Sequence, residues 1–186
     1  MSIKPLFTIT VYTENQVGLL NQITIIFTRR GLNIESISAS PSSIPGVHKY
    51  TITSRADRDA LQKAVMQIQK RIDVLRAFLL TDEEIIYREL ALYKVPTDRL
   101  LDEPDLETLL RRHNARILEM TRDYTIIETT GHSSQTQALL DVLKDYGILQ
   151  FVRSGRVAVS RSPVESLNLF IEEQERRRIE TEAIER

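Results

Sequence analysis

Two kinds of apolar spacing alternate along this chain, and their order leaves few folds open. In LFTITVYT, Phe7, Ile9 and Val11 recur at every second residue, the mark of a half-buried strand. After the ENQVG break, Leu20, Ile23 and Phe27 fall three and four apart. That spacing predicts a helix ending near Arg30, with Gly31 suited to a left-handed stop. NIESISASPS returns to strand character, Pro41 to Gly46 reads as a turn, and VHKYTITS alternates again as a hairpin partner. Asp57 caps a second predicted helix with a core stripe of Leu61, Val65, Ile68 and Ile72. VLRAFLL closes the half as a strand. Strand, helix, strand, strand, helix, strand is the split βαβ arrangement, with both helices on one sheet face.

The second half repeats that order in its elements, not in its residues. EEIIYRELALYKV (83–95) is a long strand candidate, and the polar connection PTDRLLDEPD leads to a helix around Leu106, Leu109 and Leu110. RILEMT and YTIIETTG are strands around a turn at Arg122 and Asp123. Ser134 and Gln137 have capping-box spacing before a helix carrying Leu139, Val142, Leu143 and Tyr146. ILQFVRSGRVAVSRS supplies strand material broken at Ser154 and Gly155. Beyond it, Ser162 as cap, Pro163 and Glu165 start a further helix whose stripe is Val164, Leu167 and Phe170. The expected fold is α+β: two ferredoxin-like (βαββαβ) domains at residues 1–81 and 82–163, then a charged, helical tail at 164–186.

The chain offers little for catalysis. His48, His113 and His132 are scattered, without metal-ligand spacing, and read as strand or loop surface. Six glycines form neither a GxGxxG fingerprint nor a phosphate loop. Glu83, Glu84, Glu172, Glu173 and Glu175 sit among charged neighbours, where no burial would raise a carboxyl pKa for acid–base work. With no cysteine, disulfides and thiolate metal sites are excluded. A net charge of -1 gives no global pull toward nucleic acid or an anionic membrane. Aromatic residues are 6% with no tryptophan, and no basic-aromatic pattern offers a base-stacking platform. The opening residues lack the continuous apolar run of a signal peptide, and no stretch approaches the roughly 20 residues of a membrane helix. The expectation is a cytoplasmic protein that binds neither membrane nor nucleic acid.

What remains is a pair of polar breaks at the two ends of one short helix. In TENQVG, a strand runs directly into Asn15, Gly18 and a helix start, where backbone N–H groups at a positive helix end suit a carboxylate. Gly18 lets a ligand approach the backbone, and Asn15 both donates and accepts hydrogen bonds, which fits a free amino acid. Asn33, in GLNIES, opens the next strand. An asparagine cap, a turn glycine and a helix-exit asparagine account for the same residues without any ligand.

ENQVGLLNQITIIFTRRGLNIESISASPS closely resembles the opening of the regulatory (small) subunits of acetolactate synthase, an ACT-domain family. The resemblance continues in RIDVLR (71–76), YRELALYKV (87–95) and FVRSGRVAVSRSP (151–163), and covers nearly all of the chain except the tail. It implies an N-terminal ACT domain, a C-terminal ferredoxin-like domain, and no chemistry in this chain. The implied partner is a catalytic subunit that uses thiamine diphosphate, magnesium and FAD to join two pyruvates, or pyruvate and 2-ketobutyrate. The implied role is to activate that subunit and to confer feedback inhibition by valine or another branched-chain amino acid.

The resemblance also implies a homodimer through the ACT domains, with the effector between them. Asn15, Val17, Gly18 and Leu19 match the loop given by one chain; Asn33 and Ile34 match the strand start given by the other. On that reading, amides near Gly18 hold the carboxylate with help from Asn15. Asn33 and nearby carbonyls take the ammonium, and Leu19 and Ile34 wall the side chain. The tail from Val164 and the PTDRLLDEPD connection carry no family signature. A stand-alone ACT-type amino-acid sensor acting on another enzyme or transcription factor is the other reading the residues allow.

Overall fold

β1 (Leu6–Glu14) is interior on both faces: every residue from Phe7 to Thr13 is buried. The computed structural model describes residues 4–101, 106–163, 167, 170–172 and 176. β1 lies between β3 (Val47–Arg55) and β4 (Val74–Leu80), with β2 (Ser36–Pro41) outermost, in the antiparallel order β2-β3-β1-β4. Ile9 pairs with Ile52 on one side and Leu79 on the other. The half-buried strand expected from the alternation is therefore corrected. Thr8 and Thr10, on the face opposite Ile9, are buried as well.

Two helices, α1 (Leu19–Arg29) and α2 (Arg58–Gln69), cover the Ile9 face. The stripe of α1 is Leu19, Ile23, Ile26 and Phe27, one residue out of phase at its start with the one expected. Leu20 is 42% exposed because Leu19 completes the i, i+4, i+7, i+8 face better. In α2, Leu61, Ala64, Val65 and Ile68 are buried, whereas Ile72 lies beyond the helix end and is 95% exposed. Burying each large aliphatic side chain favours the fold by about 1.5–3 kcal/mol.

The second sheet repeats the plan. β5 (Ile85–Pro96), β6 (Ala115–Met120), β7 (Tyr124–Gly131) and β8 (Gln150–Arg153) are ordered β6-β7-β5-β8, and β9 (Val157–Ser160) also pairs with β5. Within PTDRLLDEPD, α3 (Thr97–Leu101) is helical, and residues 102–105 lie outside those described. α4 (Leu106–Arg112) follows. α5 (Ser133–Leu143) brings Leu139 and Leu143 against Ala91, Tyr93 and Ile127. The capping box opens two residues earlier than Ser134 and Gln137: the Gln135 side chain accepts the His132 backbone N–H at 2.8 Å. Both sheets thus have the ferredoxin-like strand order of an α+β protein.

Contacts divide the chain by packing rather than by element order. Residues up to Ile86 group with the described residues from Ala158 onward, and Tyr87–Val157 form the other unit. In the first unit, Lys49 Nζ donates to the Ala158 carbonyl at 2.6 Å, and the Arg161 amide donates to the Glu84 carbonyl at 2.9 Å. Of the expected tail helix, Leu167, Phe170–Glu172 and Arg176 are helical; Val164 and the rest lie outside the described residues. Leu167 is fully buried against Tyr12 and Val47, and the Arg76 guanidinium lies 4.3 Å from the Phe170 ring centre.

Candidate functional site

The turn from β1 into α1 is built by backbone hydrogen bonds. The Glu14 amide donates to the Asp73 carbonyl at 3.0 Å and the Asn15 amide to the Gly46 carbonyl at 3.1 Å, so two neighbouring loops anchor the exit of β1. Gly18 caps the helix at φ 84°, in the left-handed region where a Cβ is unfavourable. An added Cβ there would meet nothing within 4 Å. The glycine is set by backbone conformation, then, and the space in front of it is open. The first turn of a helix presents amides without intrahelical partners and a partial positive charge. Asn15 and Val17 are exposed beside it, Val17 completely.

Leu19 stands differently from its neighbours. Its side chain is fully buried in the core under α1, so it presents only its backbone toward the turn. The apolar surface beside Gly18 comes from Val17 and Leu20. Sequence spacing sets Leu20 on the core stripe in place of Leu19. The signal was there, because Leu19 and Leu20 compete for one place on the helical stripe and only one can face the core.

At the other end of α1, the chain leaves through Gly31 and enters β2 by way of Asn33 and Ile34. The Asn33 side chain is exposed and donates from Nδ2 to Glu35 Oε1 at 3.2 Å. Its carbonyl accepts a 2.6 Å hydrogen bond from Ser54 Oγ. Ile34 is partly buried against the core. Glu35 was not foreseen as a site residue, although it sits inside NIES. Its carboxylate places a negative charge two residues from Asn33, where an ammonium would be stabilised.

The 11 residues of α1 separate these two ends. At about 1.5 Å per residue the helix holds them roughly 16 Å apart. That is too far for both to touch one amino acid within a single chain.

Elsewhere the chemistry is sparse. Among the described residues, no group of three His, Asp or Glu side chains could hold a metal ion. Glu84 accepts hydrogen bonds from the Thr81 amide at 2.8 Å and the Thr81 hydroxyl at 2.9 Å, which hold its carboxyl below the ordinary carboxylate range. That is the opposite of what a general acid requires. His132 is half-buried rather than surface: its ring meets Tyr87 edge-on at 4.5 Å, and Nε2 lies 3.1 Å from Arg88. No described helix is long and apolar enough to cross a membrane.

The four-stranded ferredoxin-like sheet covered on one face by α1 and α2 is the fold of the ACT class of regulatory domain, and comparison bears this out. Residues 9–76 match the family described as the AHAS small subunit-like ACT domain, and residues 88–162 match the family described as the small subunit of acetolactate synthase. The acetolactate synthase small subunit of Bacillus subtilis is 34% identical over 157 residues, covering 82% of this chain and 89% of that one. That of Mycobacterium leprae is 31% identical over 159 residues, covering 86% and 94%. The crystal structure of the acetolactate synthase small subunit from Thermotoga maritima superposes with a TM-score of 0.76 at 27% identity, covering 86% of this chain and 99% of that one. The chain belongs to the acetolactate synthase small-subunit family.

Proposed function

We propose that this chain is a non-catalytic regulatory subunit that stimulates the catalytic subunit of acetolactate synthase and makes it sensitive to valine. The observation that carries the reading is the separation of the two polar ends of α1. One chain cannot close both around a single amino acid, whereas two copies related by a two-fold axis bring the Gly18 turn of one against the Asn33 strand of the other. β2 is an outer strand, and joining two copies along it would pair backbone groups that otherwise face solvent.

In this site the amides of the α1 start, with Asn15, hold the effector carboxylate. Asn33 and Glu35 of the second copy receive the ammonium, and Val17, Leu20 and Ile34 flank the aliphatic side chain. Leu19 fixes the turn from beneath. Occupancy favours one relative orientation of the two ACT domains. It shifts the partner only by the difference in affinity between states, typically about 1–3 kcal/mol. Thiamine diphosphate, magnesium and FAD belong to the catalytic subunit, and the complex acts in the cytoplasm.

The test adds the purified chain to the catalytic subunit and follows acetolactate formation with and without valine. Stimulation that valine reverses is expected. With Gly18→Asp, which puts an anion where the carboxylate binds, stimulation is expected to persist and the valine response to disappear. No stimulation at any ratio would overturn the subunit assignment, and an unchanged valine response in the variant would overturn the site.

A further inference from the structure

The helical layer of the first unit carries a groove of about 330 Å³ lined by Arg30, Lys63, Met66, Gln67 and Lys70. Lys63, Met66, Gln67 and Lys70 fall at i, i+3, i+4 and i+7, a stripe of α2 beside its buried stripe of Leu61, Ala64, Val65 and Ile68. Arg30 faces that stripe from the end of α1, and its Nε donates to Gln67 Oε1 at 2.9 Å. Both helices and the turns that follow them are described throughout. Among the described residues, Arg30, Lys63 and Lys70 form no ion pair, and Asp59, one turn before Lys63, does not pair with it. A cation at a helix C-terminus complements the helix dipole, which accounts for Arg30 and Lys70. Lys63 is mid-helix, where the dipole calls for no cation.

We propose that this groove is a second small-molecule site, for a compact polyvalent anion: a soluble metabolite carrying a diphosphate or two neighbouring phosphates. The volume is at the lower end of the range of about 300–1,000 Å³ usual for ligand pockets. Lys63 and Lys70 stand two turns apart, about 10 Å along the axis of α2, so their ammonium groups meet on an anion whose oxygens are spread over several ångströms. A single carboxylate does not span them. With its Nε held by Gln67, the Arg30 guanidinium keeps its two Nη groups for a bidentate grip on one phosphate. Met66, 54% exposed between the two lysines, gives the organic part of the ligand an adaptable apolar surface. The groove lies at the other end of α1 from the Gly18 turn and does not depend on the valine reading.

Titration of the full, methionine-methyl-labelled chain with inorganic diphosphate at constant ionic strength, followed by NMR, tests this. A saturable shift of the Met66 methyl is expected, with Met120 unmoved and with Gly18→Asp leaving the shift in place. Inorganic phosphate is expected to bind more weakly. Lys63→Gln and Lys70→Gln are each expected to weaken diphosphate binding by about 2- to 5-fold, the scale of an exposed ion pair, and the double variant by the product of the two. Both side chains are exposed, so the variants are expected to keep the urea melt of the parent chain. The proposal is overturned if the shift does not saturate, if sodium chloride reproduces it, or if the double variant binds as the parent does. Co-sedimentation with phosphatidylglycerol vesicles, lost in the double variant, would also overturn it by making the ligand a lipid headgroup.

Discussion

Ser54, fully buried on β3, donates a 2.6 Å hydrogen bond to the main-chain carbonyl of Asn33, where the chain turns into β2. A side chain in the core thus fixes the backbone of an exposed residue of the proposed site. In Ser54→Ala the carbonyl loses its hydroxyl partner, worth about 0.5–1.5 kcal/mol for a neutral hydrogen bond. Valine affinity, measured by calorimetry, is expected to fall by a few-fold, with Asn33 itself unchanged. An affinity equal to that of the parent chain would show that Asn33 is held by other means.

Gly18 separates conformational cost from steric cost. Nothing surrounds its Cβ position, so only the positive φ opposes substitution. Gly18→Ala is expected to lower stability in urea by about 1–2 kcal/mol. Gly18→Asn, a residue that enters this region more readily, should lose less. Equal losses for the two would mean that the turn has moved to another conformation.

Tyr93 gives the molecule an alkaline limit. Its ring is fully buried and its hydroxyl donates to the Thr136 carbonyl at 2.6 Å, while burial pushes its pKa up to about 12. The folded state therefore keeps the proton to higher pH than the unfolded chain, whose tyrosine titrates near 10. Stability from this group is complete below about pH 10 and is lost as pH rises from there toward 12. Denaturation at stepped pH should show that loss, and Tyr93→Phe should flatten it while being less stable at neutral pH.

Leu167 tests whether the C-terminal segment is integral to the first unit. Full burial against Tyr12 and Val47 predicts that Leu167→Ala costs about 2–5 kcal/mol. Urea melts monitored at Tyr12 and Val47 by NMR would register it. A cost near zero would mean that the segment leaves the sheet without consequence.

Much of this fold was legible because period two and period 3.6 differ sharply in LFTITVYT and in the stripe around Ile23 and Phe27. What the pattern could not carry was the second layer over the first sheet. Thr8 and Thr10 read as a solvent face, yet a segment about 150 residues further along lies over the neighbouring Tyr12 and makes that face interior. Local spacing holds no trace of a contact at that range. The phase of α1 was also ambiguous, because adjacent leucines at 19 and 20 both satisfy a helical stripe until the sheet beneath decides between them. The same uncertainty put Leu19 on the expected ligand wall, whereas its side chain is buried in the core. Glu35 stood in plain view within NIES, and only its bond with Asn33 brings it into the proposed site.

The central claim is that one effector is gripped by two chains, and mixing two disabled variants tests it directly. Asn15→Asp opposes the carboxylate from one side, and Asn33→Lys opposes the ammonium from the other, so neither variant alone should bind valine. Unfolding the two together and refolding them into dimers produces mixed pairs, in which one site carries both lesions and the other carries none. Calorimetry on the mixture should recover about one quarter of the parent binding capacity at parent affinity, the share expected for random pairing across a two-fold seam. A mixture that binds no valine, although both variants are folded and dimeric, would place each site within a single chain and contradict the account.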